Sequence, residues 1–133
     1  MAQRRGLQGV TAPIGDEASN PLDTLRASLR RFTAKRDWEQ FHSPKNLAIA
    51  LSVEASELLE HFQWVTETES QRFTRYKLNQ VRDEIGDVLI YLVRLADKLE
   101  IDLLNAATQK IRKNARKYPV HKVRGSSKKY SEK

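Results

Sequence analysis

Four carboxylates in two helical segments are the residues whose type and spacing point most directly to chemistry. Glu54 and Glu57 are three residues apart, and so are Glu84 and Asp87. Residues three apart lie on one side of a helix, so each pair is able to face a common ligand. Close carboxylates in a partly dry place repel one another, and a divalent cation with oxygen ligands compensates that repulsion. An all-oxygen set of donors favours Mg²⁺, with Mn²⁺ as a substitute.

The positions of these acids around their helices distinguish them from ordinary surface acids. At about 100° per residue, Glu54 lies about 20° from Leu47 and Glu84 about 60° from Val81, so both border apolar stripes. A single acidic pair is usually a solvated helix face. Two pairs that border the packing faces of neighbouring helices favour a metal site. Di-iron bundles are a competing metal site, but they use Glu-x-x-His pairs, a spacing that these acids lack.

Helical periodicity accounts for most of the chain and places both acidic pairs on long helices. Asn20-Pro21 and Ser43-Pro44 each combine a capping side chain with a following proline, which is typical of a helix start. The periodic segments predict helices at residues 21–36, 44–64, 72–99 and 103–118. No segment shows the alternation typical of a strand. The predicted fold class is therefore an all-α bundle of four principal helices.

Length and composition fit one soluble domain. The chain has 133 residues and no cysteine, which excludes disulfides, thiolate metal sites and thiol catalysis. No apolar run approaches the roughly 20 residues that span a bilayer, and the first residues lack a signal-peptide pattern, so we expect a cytoplasmic location. We interpret residues 1–20 as a flexible leader, 21–118 as the helical domain, and 119–133 as a basic tail without regular structure.

Positive charge is concentrated at the C-terminal end of the chain. Of 24 Lys and Arg residues, ten lie from Lys110 onward, whereas this stretch holds one of the 17 acids. A basic stretch attracts polyanions such as nucleic acid, anionic lipid or phosphorylated small molecules. One alternative function is therefore a nucleic-acid-binding helical protein that uses the tail. The acids of the two central helices speak against this alternative for the body of the chain.

The ordered acidic pairs resemble those of the MazG-type all-α nucleoside triphosphate pyrophosphohydrolases, whose hallmark is E-x-x-E followed by E-x-x-D. Four further strings resemble the dCTP pyrophosphatase branch of that family: RDWEQFH at 36–42, FQW at 62–64, DVLIYL at 87–92 and YPVH at 118–121. The resemblance covers about residues 22–130. It implies Mg²⁺-dependent hydrolysis of dCTP, or of related and modified pyrimidine deoxynucleotides, to the monophosphate and diphosphate. Such a reaction clears unwanted nucleotides from the pool.

The resemblance also implies roles for individual residues. The catalytic and metal-binding residues would be Glu54, Glu57, Glu84 and Asp87, and we expect Glu57 to position or deprotonate the attacking water. Tyr91 would support the sugar or base. The remaining substrate-binding residues would be those that enclose the nucleoside and those that close the site over the triphosphate, namely Trp38, Glu39, Gln40, Phe41, His42 and Trp64, with Lys110 and Asn114.

One position departs from the pattern of the dCTP-preferring relatives. They carry a histidine nine residues before the tryptophan of RDWEQFH, and this chain has Leu29 there. Leucine cannot hydrogen-bond a base edge, so we expect altered or broader base selectivity.

The third predicted helix has apolar residues on more than one side, which bears on assembly. Ile90 and Val93 lie away from the main apolar stripe of their helix, which predicts a second buried face. The related proteins are oligomers whose sites are completed between subunits, so we expect a homodimer or homotetramer, with no membrane partner and no required nucleic acid.

A non-catalytic helical interaction module is the other alternative, and the presence of all four acids favours catalysis over it.

Overall fold

Every regular element in the computed structural model, which describes residues 20–129, is helical. The principal helices are α1 (Pro21–Ala34), α2 (Pro44–Glu60), α4 (Arg75–Lys98) and α5 (Leu103–Lys117). Two single-turn helices, α3 (Glu67–Ser70) and α6 (Val120–Val123), and a 3-10 turn (Glu39–Phe41) lie between or after them. The predicted all-α class with four principal helices is confirmed. The predicted leader, up to residue 19, lies outside the described residues.

Side-chain caps set the start of each principal helix. The Asn20 side chain accepts a hydrogen bond from the backbone N–H of Leu22, and the Ser43 hydroxyl accepts one from Asn46. Thr74 caps α4 and Asp102 caps α5 in the same way. Such caps stabilise a helix by about 1 kcal/mol each. The two proline-assisted starts at Pro21 and Pro44 therefore lie where the sequence predicts them.

Helices α2 and α4 form the main packing pair, and α1 packs against α4. The buried apolar side chains come from these three helices: Leu29, Leu47, Val81, Val93 and Ala96. Helix α5 contributes no buried residue. The pairing of α2 with α4 brings together the two helices that carry the acidic pairs.

Several boundaries differ from the sequence-based prediction: α1 ends at Ala34 rather than near residue 36, and α4 begins at Arg75 rather than near residue 72. Helix α2 ends at Glu60 rather than near Trp64, and residues 61–65 form turns instead. The aromatic and β-branched residues of this stretch are weak helix formers, and the Phe62 and Phe73 rings pack with centroids 5.2 Å apart, which draws the chain away from the helix axis. In the tail, the prediction of no regular structure is wrong at Val120–Val123, where Pro119 starts one helical turn.

The face of α4 that carries Ile90 and Val93 is used within the chain. Val93 is 3% exposed, and Ile90 lines a cavity between α1 and α4. These two residues therefore give no separate evidence of a subunit interface. Within residues 20–129, none of the helices has the length and apolar character needed to cross a membrane.

Candidate active site

Carboxylates from α2 and α4 meet where these helices pack. Carboxylate oxygens of Glu54, Glu84 and Asp87 all lie within 4.8 Å of one another, and all three residues are partly buried. Three oxygen donors at this separation from two helices could hold a divalent metal ion. The structure thus brings together three of the four carboxylates predicted from sequence.

Glu54 shows most clearly that this cluster suits a cation. Its Oε2 atom is buried without a hydrogen-bond partner among the described residues. Burial, together with the neighbouring carboxylates of Glu57, Asp87 and Glu84, raises the pKa of Glu54 to about 7. A carboxylate that is both desolvated and surrounded by like charge gains most from a bound cation. The donor set therefore fits a divalent metal.

Two other residues flank the three carboxylates. Glu57 is exposed and close enough to Glu54 to raise the pKa of Glu54, but it lies outside the tight cluster. His61 caps the C-terminus of α2, and its Nε2 atom lies 3.8 Å from Glu84 Oε1. The acidic site therefore has one exposed carboxylate at its edge and an imidazole beside Glu84.

A cavity of about 240 Å³ lies between α1, the turn after it, and α4. Trp38, His42 and Tyr91, three of the predicted nucleoside-binding residues, line this cavity together with Leu29. Burial lowers the pKa of His42, and the positive charge of Arg94 lowers it further, so the imidazole is neutral at pH 7. The cavity therefore combines aromatic and apolar walls with an uncharged histidine.

Tyr91 follows Asp87 by four residues on α4, which relates the cavity to the acidic cluster. Residues with this spacing lie on one side of a helix, about 6 Å apart along the axis. The cavity and the carboxylates are therefore neighbouring parts of one surface of α4.

The Glu39 carboxylate accepts hydrogen bonds from three other side chains of the chain. Its Oε1 atom accepts hydrogen bonds from the Thr33 hydroxyl at 2.9 Å and from Arg94 Nη2 at 2.7 Å, and Oε2 accepts one from Lys98. The Lys98 ammonium, with Thr33 and Arg94, lowers the pKa of Glu39 to about 2. These contacts fix the 3-10 turn that carries Trp38 at its start and His42 at its end.

The other predicted substrate-binding residues lie outside the cavity. Gln40 donates hydrogen bonds to the backbone and side chain of Asp37. Phe41 is 59% exposed and Trp64 is 87% exposed. Lys110 and Asn114 are exposed on α5. In the single chain these residues do not converge on the cavity.

Sequence analysis missed Arg94, which lines the cavity and is 2% exposed. A signal for it exists, because Asp87, Tyr91 and Arg94 follow the i, i+4, i+7 spacing of one helix face. The basic residue was hidden within an apolar stretch of α4. Ser28, Phe32 and Thr33 of α1 also line the cavity and were not identified.

An all-α fold with carboxylates converging from two packed helices is the arrangement of the MazG-like class, and the chain belongs to the MazG-like family. The family model matches residues 49–132. This range includes all four predicted carboxylates and ends within the basic tail. The family resemblance inferred from the spaced acids is confirmed.

Particular relatives include the dCTP pyrophosphatase 1 proteins of mammals. The chain is 41% identical to the one from Bos taurus over 124 residues, which are 92% of this chain and 73% of that protein. It is 45% identical to the one from Homo sapiens over 113 residues, which are 84% of this chain and 66% of that protein. A crystal structure of a pyrophosphatase from Archaeoglobus fulgidus matches with a TM-score of 0.73 and 41% identity, over 77% of this chain and 96% of that chain.

Proposed function

We propose that the protein is a Mg²⁺-dependent nucleoside triphosphate pyrophosphohydrolase that acts on dCTP or a related pyrimidine deoxynucleotide. The observation that carries this proposal is that α4 contributes Glu84 and Asp87 to the acidic cluster and, one turn later, Tyr91 to the aromatic cavity. The relatives named dCTP pyrophosphatase 1 support the choice of substrate. The reaction yields the nucleoside monophosphate and diphosphate.

The acidic cluster is the proposed metal site. Glu54, Glu84 and Asp87 would hold the ion through carboxylate oxygens, and the unpartnered Glu54 Oε2 supports this assignment. When bound, Mg²⁺ neutralises phosphate charge and lowers the pKa of water at the site. The triphosphate would then lie along the junction of α2 and α4.

Glu57 is the proposed water-positioning carboxylate. It is the exposed acid at the edge of the cluster, so it is accessible to water while its neighbours face the ion. Water attacks the α-phosphorus, the bond from that phosphorus to the bridging oxygen breaks, and diphosphate leaves. The proton that the water loses would pass to Glu57.

The cavity is the proposed nucleoside site. Its volume of about 240 Å³ suits a single ring better than a drug-sized ligand, for which pockets of roughly 300 Å³ or more are usual. The rings of Trp38 and Tyr91 offer faces or edges for a base, as aromatic side chains do in nucleotide sites. Leu29, which lines the cavity, offers no hydrogen bond, which supports broad selectivity at that position.

A homo-oligomer is part of the proposal. Apolar side chains remain exposed on α2 and α4 in the single chain: Ile49, Val53, Ile85, Leu89 and Leu92. Helix α5 is amphipathic but buries none of its residues, and Leu104 and Ile111 are exposed on it. A second copy that covers these surfaces would also bring partners to the exposed Trp64, Lys110 and Asn114. We therefore propose a dimer or tetramer whose sites are closed between subunits.

A nucleotide panel tests the reaction. Standard and modified dNTPs and NTPs are incubated with and without MgCl₂, and the monophosphate and diphosphate are quantified together. We expect both products in equal amounts, only with the metal, and fastest from a pyrimidine deoxynucleotide. The variant Asp87→Ala should lose turnover, whereas Glu60→Ala, an exposed acid outside the cluster, should keep it. If a folded protein that binds Mg²⁺ releases diphosphate from no nucleotide, the non-catalytic interaction module becomes the better function.

A further inference from the structure

Arg94 is a buried cation in the wall of the cavity. Its side chain is 2% exposed, and it lies on α4 one turn after Tyr91. Arginine is almost never fully buried unless it is paired, and burial of its charge is unfavourable without hydrogen bonds. The contacts made by each of its nitrogens therefore indicate what the residue does.

The terminal nitrogens of Arg94 are held by two carboxylates. Nη2 donates to Glu39 Oε1 at 2.7 Å, and Nη1 donates to Asp97 Oδ2 at 3.3 Å. Asp97 is in turn held by Arg30 of α1, whose Nε donates to Oδ2 at 2.8 Å. The guanidinium is planar, so two fixed terminal nitrogens also fix the direction of the Nε–H group.

The Nε–H group of Arg94 has no acceptor among the described residues, 20–129, although the Nε atom is buried. His42, which lines the same cavity, also has a buried ring nitrogen, Nδ1, without a partner in that range. The other walls are largely apolar, with Leu29, Phe32 and Ile90 among them. Two unpartnered polar atoms in such a cavity suit a ligand with its own polar edge.

We propose that Arg94 determines base specificity by donating its Nε–H to the N3 or O2 acceptor of a pyrimidine, a role that rests on the proposed function. A donor on a cation forms a stronger hydrogen bond than a neutral donor does. The pairing with Glu39 and Asp97 keeps the guanidinium oriented before substrate arrives. Neutral His42 then lies beside the same base edge, and it is able to accept a hydrogen bond from an exocyclic amino group.

Analogues that change single atoms of the base test this role in the full wild-type chain. The comparison uses dCTP, 3-deaza-dCTP, in which N3 becomes C–H, and 2-thio-dCTP, whose sulfur is a weaker acceptor than oxygen. We expect kcat/KM to fall by about tenfold or more for one of the two analogues, since a buried charged donor would lose its acceptor. If both analogues are hydrolysed as efficiently as dCTP, Arg94 does not read the base.

The variant Arg94→Lys assigns the effect to this residue. Lysine keeps a positive charge near Glu39 and Asp97 but lacks the Nε–H group. We expect a lower kcat/KM for dCTP and nearly equal values for dCTP and the sensitive analogue. If Arg94 had a purely structural role, the variant would lower kcat/KM for all substrates by the same factor and leave the analogue effect unchanged. That result would overturn the proposal.

Lys98→Met is the matched control. Lys98 holds the other oxygen of Glu39, so this variant also loosens the 3-10 turn but leaves the Arg94 side chain intact. The analogue effect should persist in it. If Arg94→Lys fails to fold, the wild-type comparison and this control still decide between base reading and turn anchoring. Absence of diphosphate from every nucleotide would instead reject the proposed function, and the specificity role with it.

Discussion

Arg94 of α4 and Glu39 of the 3-10 turn are 55 residues apart in the chain and are joined by a hydrogen bond of 2.7 Å. The same carboxylate also binds Thr33 of α1, so one acidic side chain connects three elements around the cavity. The turn is too short to hold its own shape by backbone hydrogen bonds alone. Its position beside the cavity therefore depends on the hydrogen bond between the buried Arg94 and the partly exposed Glu39.

Acid should weaken the protein through Glu39. Its pKa is lowered to about 2, so the stability that it contributes is complete above its ordinary value and is lost as the pH falls from about 4.5 toward 2. We expect Glu39→Gln to lower the free energy of unfolding by about 1 kcal/mol at pH 7, a modest effect because the side chain is partly exposed. The difference from wild type should shrink below pH 4.5. Urea unfolding between pH 3 and pH 7 measures it, and a constant difference would contradict the assignment.

Replacement of Glu54 should separate stability from activity. Glu54→Gln removes a desolvated carboxylate from a cluster of like charges, so we expect the metal-free variant to melt higher than wild type at pH 8. Turnover should be abolished. Glu60→Gln on the same helix is the control and should change neither property. Thermal unfolding in EDTA and a diphosphate assay give the two readouts, and an active Glu54→Gln enzyme would refute the proposed metal site.

Divalent cations that bind the folded protein should stabilise it, by an amount that grows with the logarithm of the cation concentration relative to Kd. A ligand present at about 100 times its Kd raises the free energy of unfolding by about 2.7 kcal/mol. We expect MgCl₂ to raise the Tm of wild type and of Asp83→Asn, an exposed acid one turn before Asp87. Asp87→Asn should lose most of this response. Differential scanning calorimetry with CaCl₂ and NaCl arms distinguishes site binding from ionic strength.

Substitution of Leu29 should change base selectivity. Leu29 lines the cavity and is 8% exposed, so a polar group placed there faces any bound base. We expect Leu29→His to raise the ratio of kcat/KM for dCTP over that for dTTP by about fivefold, since one added hydrogen bond is worth about 1 kcal/mol. Leu29→Met controls for the change in packing and should leave the ratio unaltered.

A charge on the apolar side of α5 should disrupt assembly. Ile111 is 69% exposed in the single chain. Burial of a glutamate in an interface is strongly unfavourable, so Ile111→Glu should shift the species seen by sedimentation velocity toward the monomer. Lys113→Glu, which changes charge on another side of α5, is the control. A monomeric wild-type protein would contradict the proposed oligomer.

Helical spacing in the sequence predicted the positions of the acids on α4 better than it predicted the ends of the helices. Helical spacing alone placed Glu84 and Asp87 at the edge of the stripe that packs on α2, because a regular helix converts sequence separation into angle. The substrate role of Tyr91, in contrast, came from the family resemblance, and the structure then places Tyr91 in the cavity wall. Helix ends were predicted less well. Helix α2 stops at Glu60, and helical spacing does not reveal this end because it depends on the contact between the Phe62 and Phe73 rings.

Glu39 and Arg94 show what spacing could not give. RDWEQFH identified the segment around Glu39 but not the direction of its side chain, since the segment has no helical period. A buried arginine becomes evident only when its two carboxylate partners are placed in space. Similarly, spacing could not show that Trp64, Lys110 and Asn114 are exposed and lie outside the cavity, because these positions depend on contacts between residues distant in the chain.

The single helix α4 carries two carboxylates of the acidic cluster and three residues of the cavity wall, which has a consequence for how such proteins diverge. A helix rises by about 1.5 Å per residue, so the distance from Glu84 and Asp87 to the cavity residues Tyr91 and Arg94 is set by one rigid helix. An insertion or deletion in this part of α4 would rotate the two ends against each other by about 100°. The residues of α1 are free of that constraint. Exchange of side chains on α1, such as the one at position 29, would therefore reshape the opposite wall of the cavity without changing the spacing of the residues on α4.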